Sequence, residues 1–360
     1  MTSKTPASMP EVLQSLGEGH QLSRRQFLQG LSLAGTVAAF GLGGCTRQMS
    51  GAIQDADAVA HMPAPRFRAA FSYDGLKSTW SRRGRDTAQF IGQLLGIDVF
   101  HFDGELSVDK QRQDLELIAE QDWDFVAVHP SAVNAYIEPI RRIISRGIPV
   151  IDLDTRLSDD LDALGVTTFL EPDNVWMGEQ VTKAIINAVG RFDFEIIHTQ
   201  GKLTHTGAQG RAEGFNKVIT SYPGIKVVDE TPGDWDIDKV SALWEELLMR
   251  HPNVRAGFLH NDDMAMAALR SVTKANRKGQ IVLGGVDGMQ EACEAVERGD
   301  LITTVINPTG RIHGGAVWIG YFLATNGQHA NVPRFIRIDG GVIDRNNAAG
   351  YIWLGDHLMI

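Results

Sequence analysis

From residue 67 onward the chain alternates short apolar runs with helix-length amphipathic stretches, and no other feature restricts its fold as much. The runs fall at 67–73, 97–102, 125–128, 149–153, 166–169, 195–198, 226–228, 256–259, 281–286 and 303–306. Helical periodicity fills the gaps at 85–95, 108–120, 132–146, 175–189, 211–220, 237–249, 264–275 and 311–324. Apolar strands with a helix between each pair predict parallel sheets covered on both faces, because a parallel pair needs a crossover long enough to hold a helix. The pattern comes twice, with about five strands each time. One open sheet of about ten strands is rare. The expected fold is therefore α/β, with two doubly wound parallel-sheet lobes of about 140 residues each. Ligands of such sheets sit beyond the carboxyl ends of the strands.

Ahead of that pattern the sequence reads as an address. Ser23-Arg24-Arg25-Gln26-Phe27-Leu28 sets a twin arginine before an uncharged run over 27–44, which closes on Leu42-Gly43-Gly44-Cys45. A basic segment, an apolar segment and small residues before a cut site describe a secretory signal. The arginine pair points to the twin-arginine route. Cys45 occupies the lipobox position, where the thiol is acylated. The competing reading, a transmembrane helix over 27–44, is short and glycine-rich against the roughly 20 apolar residues that a span needs. Residues 1–45 are expected to be a lipoprotein signal ending at Cys45, and 46–66, small and polar with Pro63 and Pro65 at its end, a flexible tether.

Cleavage before Cys45 removes Lys4, Arg24, Arg25, Glu11 and Glu18, leaving 316 residues and taking the net charge from −10 to −11. That acidity argues against nucleic acid as a partner, since counterion release needs a basic patch. Cys45 and Cys293 are the two cysteines, so the folded part has no disulfide to form. Cys293 sits in a helical pattern over 289–298 and reads as a buried small hydrophobe. The chain shows no Gly-x-Gly-x-x-Gly after its first strand, no Walker loop and no Gly-x-Ser-x-Gly elbow. The histidines lack zinc spacing along the chain. Asp234, Asp236, Asp238 and Glu245 match the carboxylate spacing of a calcium loop, but Lys239 stands where that loop needs glycine, and a helix start is preferred. No cofactor, metal or catalysis is expected.

The strand-end residues have a consistent chemistry. Ser72, Tyr73 and Asp74 end the first strand, followed by Trp80; His129 follows the third, and Asp154 and Arg156 the fourth. The second half supplies Gln209, Arg211, Asp234, Trp235, Asn261, Asp287 and Asn307. A sugar presents hydroxyls that donate and accept, and ring faces of apolar C–H. Carboxylates, amides, rigid arginine forks and aromatic plates are the groups that recognise it. Single residues also have local structural roles open to them. Asp262 is expected to cap the helix that follows it, which leaves Asn261 for a ligand. Asp287-Gly288 also reads as a turn. Trp235 lies among acidic loop residues and suits a stacking plate, whereas Trp176, Trp244 and Trp318 sit on amphipathic helices and suit the core or a lobe interface. Arg82, Arg83 and Arg85 read as a solvated face.

Several ordered stretches resemble a known family. Asn261-Asp262-Asp263-Met264-Ala265, Val282-Leu283-Gly284-Gly285-Val286-Asp287-Gly288, Pro149-Val150-Ile151-Asp152-Leu153-Asp154, Arg211-Ala212-Glu213-Gly214-Phe215 and Glu171-Pro172-Asp173-Asn174 are similar to segments of ribose- and galactose-type periplasmic binding proteins of sugar ABC importers, a type I fold. The resemblance spans 67–345. It implies three crossings between lobes, near Glu171, Pro308 and Ile338, with one lobe from 67–171 plus 308–337 and the other from 172–307 plus 338–360. It implies that Asp154, Asn261 and Asp287 meet ligand hydroxyls, that Trp80 and Trp235 lie near the aromatic plates, and that His129 and Asn307 make polar or hinge contacts. It departs from the ribose pattern where Thr155 separates Asp154 from Arg156, where Gln209 stands for an arginine and where Val286 stands for an aromatic; these point away from a ribose-specific pocket. The ligand set expected is Ser72, Trp80, His129, Asp154, Arg156, Gln209, Arg211, Trp235, Asn261, Asp287 and Asn307. The function implied is capture of a small sugar or polyol by a monomer that closes about its hinge and delivers the ligand to an ABC permease from a membrane lipid anchor. A sensor subunit for a kinase or chemoreceptor, and more remotely a secreted enzyme, are the alternatives.

Overall fold

The computed structural model describes residues 66–327 and 331–357. The expected signal, lipobox Cys45 and almost all of the tether lie outside the described residues. Twelve strands are ordered along the chain as β1 (Phe67–Tyr73), β2 (Ile97–Asp103), β3 (Phe125–Val128), β4 (Val150–Leu153), β5 (Thr168–Glu171), β6 (Glu195–Thr199), β7 (Lys226–Asp229), β8 (Val254–Leu259), β9 (Val282–Val286), β10 (Thr303–Val305), β11 (Phe335–Arg337) and β12 (Val342–Ile343). They form two six-stranded sheets, of order β11-β5-β4-β3-β1-β2 and β12-β10-β9-β8-β6-β7. Among the described residues the strands pair in parallel, except β12, which is antiparallel to β10. Two α/β lobes of the expected doubly wound class result.

The helices are α1 (Thr79–Leu95), α2 (Val108–Ala119), α3 (Ile137–Ser145), α4 (Leu161–Leu164), α5 (Asn174–Val189), α6 (Thr206–Ile219), α7 (Ile237–Arg250), α8 (Asp262–Lys274), α9 (Gln290–Arg298), α10 (Thr309–Asn326) and α11 (Ala348–His357). They cover both faces of each sheet. Alternation along β1 sends Ala69, Phe71 and Tyr73 into one apolar cluster and Ala70 into another. Along β6, Ile196 and Ile197 divide between the two clusters of the second sheet in the same way.

Three stretches of chain pass between the sheets: between β5 and α5, between β10 and α10, and between β11 and β12. Backbone bonds tie them together, from Ile338 N–H to Glu171 O at 3.0 Å and from Ile306 N–H to Gly341 O at 2.8 Å. Gly340 is needed here, since a Cβ on it would lie 1.9 Å from Ile306 O. This is the three-segment hinge that the family resemblance implied.

Several expectations change in detail. Helix α1 starts at Thr79 rather than 85, because Ser78 caps it by accepting from Ser81 N–H at 3.0 Å, and polar Arg82 and Arg83 conceal its first turns. Helix α3 starts at Ile137 rather than 132, since Asn134 adopts a left-handed φ of 60° that no helix accommodates. Helix α6 begins at Thr206, five residues before the expected 211. Trp244 is a core residue whose Nε1–H donates to Thr199 Oγ1 at 2.9 Å. Trp318, expected in the core or an interface, is 54% exposed, because α10 buries a stripe of small and aliphatic residues through Ile312, Ala316, Val317 and Gly320 on its other side.

Candidate ligand-binding site

The carboxyl ends of both sheets meet across one cavity of about 370 Å³ of atom-free space, lined by Trp80, His129, Asp154, Arg211, Trp235, Asn261, Asp287 and Asn307 together with Asp74, Gly75, Ser78, Ser81 and Leu106. Each polar wall residue is positioned by local backbone. Asp154 follows β4 with φ 59°, Asp287 follows β9 with φ 127°, and Asp234 and Trp235 carry φ of 55° and 63°. Non-glycine residues in this region cost of order 1–3 kcal/mol each and cluster where side chains must be aimed at a ligand.

On the first lobe, Asp154 Oδ1 accepts from Asn307 Nδ2 at 2.8 Å, and Trp80 Nε1–H donates to Asn307 O at 2.9 Å. The hinge residue Asn307 therefore ties an acid and an indole to one point. His129 stands beside Trp80, ring centroids 5.1 Å apart, with Nε2 3.5 Å from Asp154 Oδ2. On the second lobe, Arg211 is buried. Its Nε–H donates to Asn174 Oδ1 at 3.1 Å, Nη1 donates to His260 O, and Nη2 lies 3.7 Å from Asp287 Oδ1. The guanidinium also faces the Trp235 ring at 5.6 Å. Arg211 is aimed by the crossing of α5 and α6, which approach so closely that a Cβ on Gly214 would sit 2.0 Å from Val175 O.

Burial raises the pKa of both acids in principle, but they end in opposite states. At Asp154 the hydrogen bond and charge of His129, with His205 and Arg211, outweigh burial and hold the carboxyl well below its usual range. At Asp287 burial prevails over Arg211, and the carboxyl is pushed well above that range. The surroundings of the two acids thus shift them in opposite directions, towards the charged form at Asp154 and towards the neutral form at Asp287. Three buried polar atoms of the wall have no protein partner: His129 Nδ1, Trp235 Nε1 and Asn307 Oδ1. A ligand that donates and accepts along its edge matches this set.

The two lobes touch through polar contacts around the cavity. Lys202 Nζ, from the loop after β6, donates to Leu106 O at 2.6 Å, Ser131 Oγ at 3.0 Å and Asp74 Oδ1 at 3.1 Å. Thr79 donates from its N–H and Oγ1 to Asp263, both at 2.8 Å. Arg156 N–H donates to Thr206 Oγ1 at 3.1 Å.

A scan against family models matches residues 69–328 to one described as "Periplasmic binding protein domain". The chain belongs to the periplasmic binding protein family. Among relatives of the family, the D-allose-binding periplasmic protein of Escherichia coli is 29% identical over 61% of this chain and 71% of its own. The xylitol-binding protein of Mycolicibacterium smegmatis is 26% identical over 79% of this chain and 78% of its own. A solved galactofuranose binding protein superposes with a TM-score of 0.77 at 20% identity, over 82% of this chain and 100% of that one. An ABC transporter solute binding protein from Mycobacterium smegmatis with bound glycerol gives 0.73 at 26% identity, over 80% and 96%. These relatives are binding proteins.

Eight of the eleven expected ligand residues line the cavity and three do not. Ser72 lies inside β1 and accepts from Gln111 Nε2 at 3.1 Å, beneath the wall. Arg156 turns away to Glu171, 3.6 Å off, and sits over the rings of Phe169 and Phe335. Gln209 bonds back to Leu203 O at 2.8 Å. The capping role expected of Asp262 falls to Asn261. Asn261, in extended backbone, caps α8 by accepting from Met264 N–H at 2.9 Å. Asp262 turns inward and accepts from Met289 N–H at 2.8 Å and Thr304 Oγ1 at 2.7 Å. Asn261 still reaches the cavity wall with its amide nitrogen uncommitted among the described residues. The carboxylates of the calcium-like spacing are engaged elsewhere: Asp236 caps α7, Asp234 pairs with Lys239 at 2.5 Å and Glu245 with Lys274 at 2.8 Å. Sequence reasoning missed Lys202 and His205. Both lie in an aperiodic loop, and only the family's interlobe geometry gives them a partner.

Proposed function

We propose that this chain captures a small sugar or polyol between its two lobes, closes about the three-segment hinge, and presents the closed form to an ABC permease. The observation that carries the proposal is the cavity wall: two buried carboxyls, an arginine, two amides and two indoles, with three buried polar atoms unpartnered. Relatives named for D-allose and xylitol support a polyhydroxylated ligand. The turned-away Arg156 and Gln209 support a ligand other than ribose.

The lobes are proposed to move as bodies of 67–171 with 308–337 and 172–307 with 338–360. Closure follows from differential affinity, because a ligand touching both walls binds the closed form alone. Export by the twin-arginine route, a periplasmic location, lipidation of Cys45 and a monomeric state complete the proposal; a tether would hold the binder near its permease and raise its effective concentration. A thermal-shift panel of pentoses, hexoses, inositols and alditols tests the ligand class, since a site ligand raises the melting temperature by mass action. At least one member is expected to raise it at millimolar concentration. A flat panel rejects the sugar or polyol class.

A further inference from the structure

His129, Asp154 and His205 bring two imidazoles and one carboxylate together in a buried cluster, with one ligand atom of each lying within 4.8 Å of the others. They come from three places: the end of β3, the end of β4, and the loop that leads into α6 on the opposite lobe. His129 Nε2 is 3.3 Å from His205 Nε2 and 3.5 Å from Asp154 Oδ2. Both separations are long for a hydrogen bond. A single Nε2–H also cannot point at both neighbours. The same distances are close to the roughly 3.3–3.5 Å edges of a tetrahedron whose ligands stand about 2.0–2.2 Å from a central zinc. From these residues we propose a divalent transition-metal site, of zinc type, that is completed when the lobes close.

The donor set selects the metal. Two imidazoles with one carboxylate suit zinc and its first-row neighbours, whereas calcium and magnesium require oxygen cages. Thr155 Oγ1 lies 2.7 Å from His205 Nε2 and 3.0 Å from Nδ1, so ligation through Nε2 requires the ring to turn until Thr155 meets Nδ1 alone, the outer-shell support that metal-bound histidines use. Asp74 and the cationic Lys202 and Arg211 are the nearest other charges, and the first two neutralise each other as a pair. His129 and Asp154 also line the ligand cavity, which leaves the fourth position open toward a hydroxyl or a water. The linear spacing of the histidines hides this site, because its members lie 25 or more residues apart and meet only in the closed fold.

The inference stands apart from the sugar proposal and is tested without any sugar. Tag-free, chelator-stripped mature protein is titrated calorimetrically with zinc chloride. One equivalent is expected to bind with a Kd of about 1 μM or tighter. His205→Ala and His129→Gln are each expected to weaken it by at least about tenfold, and magnesium and calcium chloride to give no saturable heat. X-ray absorption at the zinc edge on the wild-type protein decides the matter even where a variant does not fold; two imidazoles are expected in the coordination shell. Absence of a saturable isotherm, an isotherm unchanged in both folded variants, or a shell with fewer than two imidazoles overturns the proposal. Sugar titrations in the presence of chelator test the other reading separately.

Discussion

Lys202→Met removes the interlobe contact in which one ammonium meets three acceptors. In the closed form Lys202 Nζ satisfies Asp74 Oδ1, Ser131 Oγ and Leu106 O at 2.6–3.1 Å, with the Asp74 side chain 5% exposed. Burial alone would raise the Asp74 pKa, but Lys202, with His205 and His129, reverses that and holds the carboxyl below its usual range. Without the ammonium, closure must bury Asp74 beside no permanent cation of its own. Breaking a buried pair from one side typically costs about 3–5 kcal/mol. In the proposed open form water would solvate Asp74, so this cost would fall on closing and not on the fold. Part is recovered when Asp74 takes up a proton, which leaves about 2–3 kcal/mol. That equals a roughly 30- to 150-fold rise in the ligand Kd. The assay is calorimetric titration with the best ligand from the thermal-shift panel, alongside the melting temperature of the ligand-free variant. A Kd within about threefold of wild type would refute the reasoning, because the contact would then contribute nothing to closure. Adding Asp74→Asn to Lys202→Met is expected to restore part of the affinity, since the stranded charge is gone.

Other outcomes follow from single features of the fold. Gly214→Ala places a methyl carbon on the Val175 carbonyl across the α5–α6 crossing and is expected to cost about 1–3 kcal/mol, read as a lowered melting temperature, with ligand affinity reduced because Arg211 rides on α6. Asp262 is pushed up to about 7, first by burial and also by Asp263, against the bonds from Met289 and Thr304. The folded state therefore holds a proton that the unfolded chain releases above about pH 4, and stability falls as pH rises toward 7 and stays low above it. Asp262→Asn keeps an acceptor for Met289 and Thr304 without the charge, so its melting temperature should exceed wild type at about pH 8.5 by more than at about pH 5. Equal differences at both values would contradict that assignment. Burial drives the Cys293 thiol up to about 12, so a maleimide should leave the native protein unlabelled and react once denaturant unfolds it.

The strands were legible because buried parallel strands are apolar nearly throughout, and β3 and β8 show this without a polar interruption on their buried stretch. The rule that ligands meet strand ends pointed to Trp80, His129, Asp154, Trp235, Asn261, Asp287 and Asn307, which line one cavity. It failed where local geometry decides direction. Gln209 and Arg211 sit two residues apart on α6, about 200° around the helix, so only one faces the cavity. Ser72 lies one pleat too early, inside β1, where Gln111 engages it. Arg156 follows the left-handed bend at Asp154, and Glu171 with two phenylalanine rings draws it off. The cap fell to Asn261 instead of Asp262 because the sequence shows two adjacent capping residues, and only the backbone, extended at Asn261, decides which one caps. Lys202 and His205 carried no signal because their partners lie on the other lobe.

Small-angle scattering with and without the ligand tests the central claim most directly, that the lobes trap a small polyhydroxylated molecule by closing on it. The radius of gyration is expected to fall on saturation, and the fall should shrink in Lys202→Met at the same ligand concentration. An unchanged radius of gyration at a concentration that calorimetry shows to be saturating would contradict hinge closure.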